Sequence, residues 1–209
     1  QRVVRQFRGQ VLEAAVPRDG DPKPLKDLLR EPLRNGHSAK ASPDGTVRTL
    51  TLTAVTERSF TDQNTKLTGA DPKRVSDLWL EPGDVLIQRS NTPALVGSAA
   101  MYRGERNWAI FPDLLIRARV SEQVSPDFLE LILQAPSTRR YFQAQAQGIA
   151  GSMPKISQTT IEEMPVRLPD REQQDRSVAR VTTYLDRLKQ AEDDIAAASS
   201  LADQLRRAV

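Results

Sequence analysis

The sequence has no cysteine and a single histidine, His37, among its 209 residues. Without cysteine there is no disulfide framework, no thiolate metal site and no redox thiol. One imidazole cannot assemble a multi-histidine metal site, and it leaves histidine-based catalysis a single group. Aromatics make up only 5% of the chain, so its core must be aliphatic. No apolar run approaches the 18 residues that a membrane-spanning helix needs. The stretch Gln1 to Arg5 lacks the charged-then-apolar pattern of a secretion signal, and a cytoplasmic location is expected. Three motifs are also missing: the phosphate-cradling glycine loop ending in Lys-Ser/Thr, a dinucleotide glycine fingerprint after a strand, and an Asn/Asp-Pro-Pro-aromatic segment. Asp127 and Glu130 lie three apart without a lysine at a spacing useful for nuclease chemistry, so capping and solvation are expected of them. No catalytic residue, metal site or cofactor is expected.

What is present is unevenly placed charge. The net charge is +3. Residues 171–209 hold seven basic and seven acidic residues, so the whole excess, 23 against 20, lies in residues 1–170. Three windows there contain bases and no acid. Pro32 to Pro43 holds Arg34, His37 and Lys40; Val85 to Gly104 holds Arg89 and Arg103; Leu131 to Ile161 holds Arg139, Arg140 and Lys155. Locally unopposed positive charge is what a phosphate-facing surface requires.

The hydrophobic pattern predicts a mixed α+β domain with a small twisted sheet, followed by one long coiled-coil-like helix. Val4, Phe7, Val11 and Ala14 recur at helical spacing within residues 1–16, and the run Pro17 to Pro24 ends that helix with three prolines and a glycine. Val47 to Val55 alternates apolar residues with threonines, a strand signal. Gly83-Asp84 is a turn before a buried strand at Val85 to Ile87, and Ala94 to Tyr102 and Leu114 to Val120 are further strand candidates. Ser125-Pro126-Asp127 opens a helix with Ser125 as N-cap and a core face of Phe128, Leu129, Ile132 and Leu133. Pro136 breaks it, and a second helical run follows to about Gln147. Asp170 starts the last helix as N-cap, with Gln173 as its reciprocal partner. Along that helix Val178, Val181, Leu185, Leu188, Ile195 and Leu205 form an apolar seam, with alanines between, that needs a partner helix.

Candidate contact residues sit in the acid-free windows. Gln88, Arg89, Ser90, Asn91 and Thr92 combine a guanine-reading guanidinium, an adenine-reading amide and phosphate-holding hydroxyls directly after a predicted strand; a solvated loop exit would look the same. Asn35, His37, Ser38 and Lys40 form a second candidate loop. Gly148 to Lys155 reads as a glycine-rich loop in which Ser152 and Lys155 reach the phosphate backbone, or as an ordinary helix-to-strand connection. Arg139 and Arg140 read as phosphate clamps or as plain surface charge. Trp79 and Trp108 are expected in packing, not in base stacking. Finally, Gln204 to Val209 repeats Gln6 to Val11 in Gln, Arg and Val, so the chain reads as slightly more than one period of a two-period protein.

Several of these stretches, in this order, resemble the specificity subunit of Type I restriction–modification systems. Leu33 to Ser38 resembles its early Asn-Gly-x-Ser segment. Leu80 to Thr92, with Leu95 to Gly97 following, resembles its Gly-Asp-aliphatic-Leu-x-x-Arg-x-Asn segment. Gly148 to Ile156 resembles its glycine-rich loop, Met164 to Gln173 the Pro-x-x-Glu-Gln start of its distal conserved helix, and Arg8 to Val16 the end of the preceding one. The sequence departs at Asp170, where that family commonly has a second proline. The resemblance implies three parts: residues 1–16 as the end of a spacer helix, 17–169 as a target-recognition domain, and 170–209 as a long spacer and dimerisation helix. It implies a non-catalytic chain that reads one half of a bipartite double-stranded DNA site. Its helices would dock methyltransferase subunits, through them the restriction subunit, and a second copy or second half of the specificity subunit. AdoMet, ATP and Mg²⁺ would belong to those partners. The alternative is an assembly scaffold built on the long helix, with an incidental basic surface.

Overall fold

The computed structural model describes residues 2–148 and 153–207. In chain order the elements are α1 (Arg2–Ala14), β1 (Lys23–Pro24), β2 (Arg34–Asn35), β3 (Val47–Leu50), α2 (Leu52–Thr56), β4 (Thr65–Thr68), β5 (Val85–Gln88), β6 (Ala99–Met101), β7 (Leu115–Ala118), α3 (Pro126–Gln134), α4 (Pro136–Gln145), α5 (Gln158–Glu162), β8 (Pro165–Val166) and α6 (Arg171–Arg207). Short 3₁₀ turns cover Leu25–Leu28 and Asp62–Asn64. The mixed α+β class with one long terminal helix is as expected.

The central element is a four-stranded antiparallel sheet in the order β2-β7-β5-β6. Pairing of Leu86 with both Ala100 and Arg117 sets its register. Both faces are covered, so β5 is buried at every position. Alternation sends Val85 and Ile87 to one face, where they meet Leu129, Leu133, Phe142 and Ile161 of α3, α4 and α5. Leu86 faces the other way, against Val47, Leu50, Ala54, Val55 and Phe111. A third cluster joins α1, α3 and α6 through Leu12, Ala15, Phe128, Leu131, Ile132 and Val181. Two two-stranded ladders, β3-β4 and β1-β8, complete the topology.

Some expectations need correcting. The alternating run Val47 to Val55 is a strand only to Leu50; it turns at Thr51 and continues as α2, which buries the adjacent pair Ala54 and Val55. Of Ala94 to Tyr102, only Ala99–Met101 is strand, because the chain first makes a tight turn with Gly97 at φ +73°. Ser125 precedes α3, but its hydroxyl caps nothing; instead its N–H donates to Gln174 Oε1 at 2.8 Å. Glu130 is not solvated. Its side chain is 3% exposed, receives Met101 N–H and is paired with Arg58 and Arg103.

The Asp170 cap forms, with Gln173 N–H on Asp170 Oδ1 at 2.8 Å. The neighbouring Gln174 is wholly buried and donates to the carbonyls of Gln123 and Pro169, which locks the start of α6 onto the domain. α6 runs 37 residues, about 55 Å at 1.5 Å per residue. Val178, Val181 and Leu185 of the expected seam pack on α1 and α3, and Leu188 is half-buried. From Ala191 to Ser200 every residue is exposed, Ile195 by 69%. The side chain of Leu205 lies outside the described residues.

At the end of the sheet where β5 begins, an ion-pair network closes the fold. Asp84, 1% exposed, accepts from Arg119 Nε at 2.6 Å and from Glu81 N–H at 3.0 Å. Glu81 pairs with Arg30 and Arg106, and Glu31 with Arg117 and Arg119.

Candidate nucleic-acid interface

At the opposite end of the sheet, three loops lie side by side: the one after β2, the one joining β5 to β6, and the one entering β7. Their backbones are stitched together. Gly36 and His37 donate to Leu115 O and Phe111 O, and Arg89 N–H donates to Leu114 O at 2.8 Å. A Cβ on Gly36 would collide with the carbonyl oxygens of Phe111 and Pro112, so this close approach requires glycine. The described part of the predicted glycine-rich loop joins the same face. Lys155 pairs in antiparallel fashion with Ser90 and Gln147, and Ile156 N–H donates to Arg89 O at 2.9 Å. The cap of α5 is Ser157, whose Oγ accepts Thr160 N–H. Beside it Gln158 Nε2 reaches Leu33 O at 3.3 Å and Asn35 Oδ1 at 3.2 Å. The three acid-free windows, far apart in sequence, thus meet at one sheet end.

Their side chains divide into two sets. His37, Lys40, Thr92, Arg140 and Lys155 are exposed, and Arg89 is half-buried. Asn35 is exposed but already receives Gln158. Ser38 is exposed, with its hydroxyl engaged on the Asp113 carboxylate. Asn91 is half-buried and bonded on both sides, to Gln88 and to Thr92 N–H. The second set supports the first from beneath. Gln88 and Ser90, expected as contacts, are wholly buried: Gln88 Nε2 donates to Leu52 O at 2.9 Å and Ser90 Oγ to Pro154 O at 3.2 Å. Arg139, read as a phosphate clamp or surface charge, is half-buried against the loop after β5. Its Nη2 donates to Ala94 O at 2.9 Å, its Nη1 is buried without a partner among the described residues, and burial lowers its pKa. With Gln143 Nε2 on Pro93 O at 3.2 Å, it makes α4 a clamp on the loop after β5. Phe142 completes that clamp; a Cβ on Gly97 would lie 2.7 Å from its ring. Ser152 lies outside the described residues.

Not every base in the windows serves this face. Arg34 is paired with Asp77, and Arg103 with Asp127 and Glu130. Trp108 is occupied by Arg48, whose guanidinium lies 4.8 Å over its ring. Sequence reasoning missed Gln143 and Gln158, both within the acid-free third window, and exposed Met153, 53% accessible next to Lys155. Among the described residues no group of three His, Asp or Glu could hold a metal ion, and no helix is long and apolar enough to cross a membrane.

No family model matches the chain. Over 188 residues, 87% of its length, it is 26% identical to the Type I restriction enzyme EcoKI specificity subunit of Escherichia coli (strain K12), of which the match covers 40%. Over 121 residues, 57% of its length, it is 26% identical to the EcoEI specificity subunit of Escherichia coli, covering 20% of it. The chain spans less than half the length of the curated relatives it matches. Among solved structures, a chain from the assembly of a type I R-M system superimposes with a TM-score of 0.71 at 16% identity, over 98% of this chain and 50% of that one. The HsdS subunit from Thermoanaerobacter tengcongensis gives 0.61 at 18% identity, over 94% and 46%. The fold is that of these specificity subunits, and the sequence is similar to theirs.

Proposed function

We propose that this chain is a recognition half of a Type I restriction–modification specificity subunit, and that it reads double-stranded DNA through the sheet end built by the loops after β2 and β5 and by Lys155. The observation that carries this reading is the convergence of three acid-free windows on one face, in a chain with the specificity-subunit fold. Arg89 would read a base, with His37, Lys40, Thr92, Arg140 and Lys155 on phosphates and Asn35 and Ser38 shaping the loop beside them. Residues 17–169 form the reading unit. Residues 1–16 and 170–209 act as spacer helices, and they dock methyltransferase subunits, through these the restriction subunit, and a second half of the specificity subunit. The bare stretch of α6 beyond Ala191 supports that role. The chain contributes no catalytic group and binds no cofactor; it works inside the cell with partners that do.

The test is the double variant Arg89→Ala with Asn91→Ala in the assembled complex. Each lost base contact should weaken specific binding by about 1–3 kcal/mol, with the fold retained by circular dichroism. Unchanged DNA affinity in a folded double variant would leave an assembly scaffold as the function.

A further inference from the structure

The loop after β5 is held from beneath by a short chain of amides. Gln88 Nε2 donates to Leu52 O at 2.9 Å, Gln88 Oε1 accepts from Asn91 Nδ2 at 2.8 Å, and Asn91 Oδ1 accepts from Thr92 N–H at 2.7 Å. Backbone groups at both ends fix the direction of the chain. Leu52 O can only accept, so Gln88 must turn its nitrogen there and its oxygen toward Asn91. Thr92 N–H can only donate, so Asn91 must turn its oxygen there. Flipping Gln88 would set its oxygen against Leu52 O and its nitrogen against Asn91 Nδ2, and flipping Asn91 would take the acceptor from Thr92 N–H; Gln88 is wholly shut off from water.

A primary amide carries two N–H donors and two carbonyl lone pairs. Asn91 spends one of each internally and keeps one of each. It is half-buried, three residues beyond Gln88, the last residue of a strand buried on both faces. A fixed donor beside a fixed acceptor matches the major-groove edge of adenine, which presents N7 as acceptor and N6–H as donor. Guanine presents two acceptors there, one of which would oppose Asn91 Oδ1.

We propose that Asn91 reads an adenine, and that Gln88, which never meets DNA, determines this preference as a positioning residue by fixing the orientation of the Asn91 amide. The inference rests on the DNA-reading function above. The experiment selects from a pool of randomised DNA duplexes with the full chain, its Gln88→Met variant and its Asn91→Asp variant, and compares side-chain amide exchange at Asn91 by NMR in the free proteins. The original chain should enrich a motif containing one adenine. Gln88→Met should flatten the preference at that position by roughly tenfold, leave the other positions and the salt dependence alone, and speed exchange of the Asn91 amide. Asn91→Asp, which keeps acceptors and loses its donors, should shift the same position from adenine toward cytosine, whose N4 donates. It decides whether Asn91 reads adenine even if Gln88→Met does not fold, and without that contact Gln88 has nothing to position. An unchanged motif with Gln88→Met, a uniform loss at all positions with the fold intact, or retention of adenine by Asn91→Asp overturns the proposal. If the original chain enriches no motif, the DNA reading fails and this inference with it; the exchange difference would then show the amide chain to be purely structural.

Discussion

The two ends of the central sheet are built from the same residue type to opposite purposes. At the end where β5 begins, Arg30, Arg106, Arg117 and Arg119 are answered by Glu31, Glu81 and Asp84. At the end where β5 finishes, Arg89 and Lys155 have no ion pair among the described residues, nor have Lys40 and Arg140 of the same acid-free windows, and the carboxylate nearby, Asp113, is held by Ser38. Charge matched inside the protein stabilises the fold and offers little to a ligand. Charge left unmatched at the surface contributes little to the fold and remains available to phosphates. An arginine count does not separate the two cases; pairing does. This division predicts that variants at one end should alter stability, and variants at the other should alter binding.

The largest effect is expected at Asp84. Its carboxylate is 1% exposed and receives two guanidinium bonds from Arg119 and the backbone N–H of Glu81. Asp84→Ala leaves a guanidinium that is only 15% exposed without that partner. Breaking a buried pair in this way costs about 3–5 kcal/mol, measurable as a lower urea midpoint. The salt dependence of DNA binding, measured where the variant is folded, should not change. A loss of DNA affinity without loss of stability would erase the distinction between the ends.

Lys155→Ala is the complementary experiment. The Lys155 backbone is paired with Gln147, but its side chain is exposed and has no ion pair among the described residues. Stability should change by less than about 0.5 kcal/mol. Binding should weaken about equally for all sequences, and the slope of log affinity against log salt should become shallower by about one. A change confined to one DNA sequence would make Lys155 a base reader instead.

Much of this division was legible in the sequence, because acid-free windows are a linear property and three of them converge. Helical spacing likewise places α1, α3 and α6, and Pro136 places the break between α3 and α4. What failed depends on neighbours that sequence does not reveal. Alternation in Val47 to Val55 suits a strand, but β4 supplies only four partners, Thr65 to Thr68, and beyond Leu50 the chain buries Ala54 and Val55 together by coiling. Gln88 reads as a loop contact because it is polar and next to Arg89. Period-two geometry instead directs it with Leu86 into the face that holds α2, where Leu52 O accepts its amide. Glu130 failed for the same reason: a polar residue on a helix is read as solvated unless its buried partner is known.

The mildest expected effect is a pH dependence confined to the paired end. Burial alone would raise the pKa of Glu81, but the hydrogen bond from Arg30 and the charges of Arg119, Arg30 and Arg106 outweigh it and hold the carboxyl below its ordinary value of 4.5. In the unfolded chain those guanidiniums are dispersed and the carboxyl titrates normally. The folded state therefore binds the proton less readily, and the charged form contributes stability that is fully present above pH 4.5. That contribution is lost as pH falls from there through the depressed folded value. Urea midpoints followed from about pH 6 down to about pH 3 should decline in the original chain, and the decline should be shallower in Glu81→Gln, which has no proton to gain. At neutral pH the same variant should be less stable than the original, because Arg30 and Arg106 then lack their counter-charge. DNA-binding salt slopes should coincide for the two proteins at neutral pH, since Glu81 lies at the far end of the sheet from Arg89 and Lys155. If the acid limbs also coincide, the arginines around Glu81 are equally well satisfied by water, and the contrast between the two ends rests on Asp84 alone.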